Sequence, residues 1–71
     1  METFVLENKD QRFIFNVKDG LAGLTAGFNR ENVWSYLFVH TISVEEARLT
    51  WKSLVSHGFK RISLEQYSER F

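Results

Sequence analysis

Residues 43–59 specify one helix from start to stop. Ser43-Val44-Glu45-Glu46 has the spacing of a capping box: the hydroxyl accepts from an amide three residues on, and the glutamate reaches back. Val44, Ala47, Trp51, Leu54 and Val55 recur at spacings of 3, 4, 3 and 1, which places them on one apolar stripe. Gly58 is set to take the left-handed conformation that ends a helix, and Phe59 to fold back on Leu54. The pattern predicts a helix over 44–57, with His57 in its last turn, where a cation meets the negative pole. No other segment carries comparable signals. Whatever sheet the rest of the chain makes, one helix has to cover it.

The remainder reads as β structure. Thr3–Leu6 is a short β-prone run, and Glu7–Gln11 is a polar turn cluster. Arg12–Lys18 then alternates, with Phe13, Phe15 and Val17 on one face and Arg12, Asn16 and Lys18 on the other, so the two runs form a hairpin. Lys18-Asp19-Gly20 signals a turn. Leu21–Phe28, with Gly23 and Gly27 among its apolar residues, reads as irregular or bulged. Val33–Ile42 is dense in β-branched and aromatic residues and is expected as a strand. A helix from Asn29 is its competitor, since Val33, Trp34, Leu37 and Phe38 also fit a 3.6-residue period. Phe59–Leu64 reads as a final strand, and 65–71 as a short helical turn or a frayed tail. The expected fold is one small α+β domain over 1–71. Its sheet is mainly antiparallel, of three or four strands in chain order ββ(β)αβ, with helix 44–57 across one face.

Composition narrows the chemistry. The chain of 71 residues has no cysteine, which removes disulfides, thiolate chemistry and Cys-based zinc sites together. His40 and His57 lie seventeen residues apart, without the convergent partners that a metal or hydrolytic site requires. They read as structural. Glu45 and Glu46 are neighbours on a helix, pointing about 100° apart, and belong to the cap rather than to acid–base work. Gly20, Gly23 and Gly27 match neither a dinucleotide fingerprint nor a phosphate loop. No apolar run approaches the roughly twenty residues that span a bilayer. The acidic, mixed N-terminus lacks the features of an export signal, so a cytoplasmic location is expected. A chain this short is also expected to offer little room for a small-molecule pocket of about 300 Å³. No cofactor, metal, membrane or small-molecule substrate is indicated.

Coverage supplies the functional expectation. Val33–Ile42 is apolar on both faces, with Val33, Leu37 and Val39 on one and Trp34, Tyr36, Phe38 and Ile42 on the other. Such runs are normally buried on both sides, and a single helix is too narrow to do that. The uncovered face is expected to meet another chain, a second copy or a larger protein, through Trp34, Tyr36 and Phe38, with His40 and Ile14 at the margin. Alternatively, Leu21–Phe28 and Tyr67–Phe71 fold back over it. The leading reading is a non-enzymatic interaction module, an accessory, regulatory or inhibitor protein. A nucleic-acid binder using Arg48, Lys52, Lys60 and Arg61 is its rival, weakened by a formal net charge of zero.

Overall fold

The computed structural model describes residues 2–63. Strands β1 (Glu2–Glu7), β2 (Gln11–Lys18), β3 (Leu21–Arg30), β4 (Val33–Ser43) and β5 (Lys60–Ile62) form one sheet, ordered β4-β3-β2-β1-β5. Helix α1 (Val44–Ser56) joins β4 to β5, and every neighbouring strand pair is antiparallel. The α+β class with a helix on an antiparallel sheet is as expected. The strand count is not: the described residues hold five strands rather than three or four, in chain order ββββαβ. The expectation for 65–71 lies outside the described residues.

The main correction is β3. Leu21–Phe28 is not an irregular segment but part of a strand, paired residue by residue with β2 and, across one register shift between Leu24 and Thr25, with β4. Its glycines supply space rather than flexibility. Gly23 and Gly27 are four apart and share a face, and aromatic rings of β4 lie across both. A Cβ on Gly27 would sit 2.7 and 2.9 Å from two ring carbons of Tyr36, whereas one on Gly23 would meet Phe38 at an ordinary 3.5 Å. Gly27→Ala is therefore expected to cost about 1–3 kcal/mol through overpacking. Gly23→Ala should stay within about 0.5 kcal/mol of wild type. Urea unfolding of the two variants checks this, and equal losses would refute the spacing argument.

Two tight turns build the meander. Asp19 and Gly20 have φ of 53° and 75°, and Glu31 and Asn32 have φ of 52° and 66°, so each pair makes a two-residue turn with both φ positive. The first is spelled out by Asp-Gly. The second is not, because a glutamate in left-handed backbone is no turn signal. The β1–β2 loop is held by Asn8, whose Oδ1 accepts from the amides of Asp10 (3.0 Å) and Gln11 (2.8 Å).

The hydroxyl half of the expected capping box and the C-terminal turn both form, while the Glu46 side chain does not return a bond to the Ser43 amide. Ser43 Oγ accepts from the Glu46 amide at 3.2 Å. The helix stops one residue before the expected boundary, with His57 as its cap, and Gly58 follows at φ 93°. The Gly58 amide donates to the Val55 carbonyl and that of Phe59 to the Leu54 carbonyl, both at 3.1 Å, which is the Schellman pairing. Val55, expected on the apolar stripe, is exposed.

Between these ends the chain must cross from one sheet edge, β4, to the other, where β5 lies beside β1. Five strands span about 19 Å, and thirteen helical residues about 20 Å. The helix runs from Ser43, paired with Leu21, towards Phe59, whose ring meets that of Phe13 at 5.5 Å, and Lys60, paired with Glu7. Beneath it lie Leu6, Phe15, Ala22, Leu24, Ile42, Ala47 and Phe59, flanked by Phe4, Phe13, Val17, Trp51 and Leu54. One corner, where β3 ends and β4 begins, stays outside this diagonal.

Candidate interaction surface along β4

A bulge decides which side chains of β4 travel together. Leu24 pairs with His40, but Thr25 pairs with Phe38, so Val39 is an extra residue in β4. It reverses the alternation. Through Ala22, Ile42 and His40 belong to the helix side, and through Ala26 so do Leu37 and, two residues apart, Ser35 and Val33. Trp34, Tyr36 and Phe38 occupy the opposite side, with Ile14 two strands away. The expected grouping of Ile42 and His40 with the three aromatics is thus corrected. A single inserted residue exchanges the faces.

The opposite side contains a feature that alternation alone placed in solvent. Arg12 is 0% exposed. Its Nε donates to Glu7 Oε1 at 2.8 Å, and its Nη1 donates to the Tyr36 hydroxyl at 2.7 Å. Its guanidinium carbon lies 3.8 Å from the centroid of the Trp34 ring, within the range of a cation–π contact. Trp34 in turn stacks on Tyr36, with centroids 6.4 Å apart and planes 19° apart. Glu7 and Arg12 are direct partners across the β1–β2 hairpin, and Gly27 opens the space for the Tyr36 ring. Pairing the two hairpin arms residue by residue in the sequence would have found this ion pair.

Consequently, Trp34 and Tyr36 are half-buried by their own chain. Ile14 is only 4% exposed and does not reach a free surface. Apart from Leu21 on β3 and Leu49 and Val55 on the helix, the large apolar residues left in solvent lie along β4 and beside it. Val33, Leu37 and Phe38 each keep 60–66% of their area exposed, and Val39 and Phe28 keep 44% and 43%. Of the five expected interface residues, Phe38 lies fully on this margin, Trp34 and Tyr36 border it, and exposed His40 lies on the helix side beyond the bulge.

The basic residues do not form one face. Lys60 pairs with Glu7 and Arg61 with Leu6, so the two project to opposite sides of the sheet. Arg61 sits 5.2 Å from the Phe4 ring centroid. It shares with Arg48 an open cleft of about 420 Å³, floored by Phe4, Phe15 and Trp51. A second open cleft, about 380 Å³, lies beside Trp34, Glu7 and Asn29. Both are open clefts on the surface rather than enclosed pockets. Among the described residues, no three metal-ligating side chains of the His, Asp and Glu type converge, and no helix is long and apolar enough to cross a membrane. No family model matches the chain, and neither a curated protein nor a solved structure does.

Proposed function

We propose that this protein is a non-enzymatic interaction module that acts by contact along β4. The observation that carries this reading is an eleven-residue edge strand without a charged side chain, bearing Val33, Leu37, Phe38 and Val39 largely in solvent. Edge strands are ordinarily guarded by lysine, proline or short length, because their open backbone groups recruit further strands. Here the guard is reduced to the bulge at Val39. The Arg12 cluster supports the reading from behind, since it fixes Trp34 and Tyr36 rigidly next to the exposed residues and lowers the entropy cost of docking.

The test is site-specific photo-crosslinking in cells that make the protein. A benzophenone amino acid at Phe38 is expected to give a discrete covalent adduct with another polypeptide. The same group at Lys52, on the solvent side of the helix, is expected to give none. Adducts at both positions, or at neither, would end the proposal.

A further inference from the structure

We infer that the partner of β4 is a second copy of this chain, joined edge to edge by antiparallel pairing of the two β4 strands. This deepens the contact reading above and rests on it. The regular part of the edge is Val33–Phe38, because the bulge at Val39 interrupts the ladder beyond it. Opposed residues of an antiparallel pair must share a face, so a two-fold axis has to pass through a residue rather than between two. With the axis at Ser35, Val33 of one copy faces Leu37 of the other on the helix side, and Trp34 faces Tyr36 on the reverse. Each pair occurs twice. The axis stands perpendicular to the sheet, which puts both helices on one side of a continuous ten-stranded sheet.

Three observations favour a second copy over another chain. The corner that α1 leaves uncovered is formed by Phe28, Val33 and Leu37 and is centred on Ser35. The two corners therefore meet at the axis and become one apolar floor between the helices. Charge does not oppose the union, because β4 carries none and the formal net charge of the chain is zero. The exposed parts of Phe28, Val33, Leu37, Phe38 and Val39 amount to on the order of 500 Å² per copy. With the strand backbone and the margins of Trp34 and Tyr36 added, this approaches the roughly 800 Å² per partner of a stable interface.

Because the chain has no cysteine, Ser35→Cys introduces its only thiol. Antiparallel pairing puts the two Cα atoms about 4.5–5.5 Å apart, inside the range that a disulfide spans. Under mild oxidation Ser35→Cys is expected to convert almost wholly to a covalent dimer with wild-type circular dichroism, and Lys52→Cys to remain largely monomeric. Sedimentation equilibrium of the wild type should give twice the 8.4 kDa chain mass. Leu37→Lys, at a position already two-thirds exposed, should give a folded monomer. A wild type that stays monomeric at hundreds of micromolar overturns the inference, as does a dimer in which Ser35→Cys closes no faster than Lys52→Cys. If the Phe38 crosslink then reports a different polypeptide, the contact function survives and self-pairing falls. If there is no crosslink at all, both fall.

Discussion

Arg12→Ala is expected to abolish the cooperative unfolding transition at room temperature. The substitution removes the ion pair with the Glu7 side chain, itself only 12% exposed, together with the donor to the Tyr36 hydroxyl and the cation beside the Trp34 ring. Breaking a buried ion pair from one side costs about 3–5 kcal/mol. That is comparable with the whole margin of about 3–5 kcal/mol that a core of this size supplies. Arg12→Lys keeps the charge but not the planar fork, and a loss of about 1.5–3 kcal/mol is expected from the hydrogen bonds it cannot reproduce. Removing both charges in Glu7→Gln/Arg12→Met should recover part of the loss, because the charge of one is then not left buried opposite a missing other. Urea unfolding followed by tryptophan fluorescence reads all three. An Arg12→Ala midpoint equal to that of wild type would show that the pair contributes nothing.

Trp51→Ala should be the second most damaging change. Its indole meets Phe15 edge-on at 5.4 Å and Phe4 at 6.1 Å and is the largest side chain that the helix lays on the sheet. Truncating an aromatic core residue costs about 3–5 kcal/mol, and the half-buried position of Trp51 puts the expected loss near 3. Leu49→Ala is the matched comparison. Leu49 is 68% exposed on the same helix, so its truncation should change stability by no more than about 0.5 kcal/mol. If the two variants unfold at the same urea concentration, the helix is not seated on the sheet as described.

The helix was legible because its signals are local. Ser43, Gly58 and Phe59 act on amides and carbonyls within a few residues, so their spacing alone implies the geometry. The β1–β2 hairpin and the Asp19-Gly20 turn were legible for the same reason. By contrast, β3 was misread because its glycines answer to rings on a neighbouring strand, and a glycine that makes room looks in sequence like one that bends. The Glu31-Asn32 turn carried no glycine to mark it. The bulge at Val39 left no trace in the pattern, and one undetected insertion was enough to assign Ile42 and His40 to the wrong face. Arg12 obeyed the alternation but not its usual meaning. A charged residue on the outward face was enclosed by Glu7, Trp34 and Tyr36 because pairing brought three strands together around it.

The sequence by itself determined that one helix and a set of antiparallel strands would form, and that the strand near residue 38 would be too apolar for a single helix to cover. Those properties follow from side-chain period and capping, which operate over one or two turns of chain. Only the tertiary structure decided where the surplus apolar surface would lie. The helix must cross from β4 to β5 along a diagonal, so it shelters one half of the sheet and strips one corner. The buried arginine claims two of the aromatics, and Val33, Leu37 and Phe38 are left along an open edge.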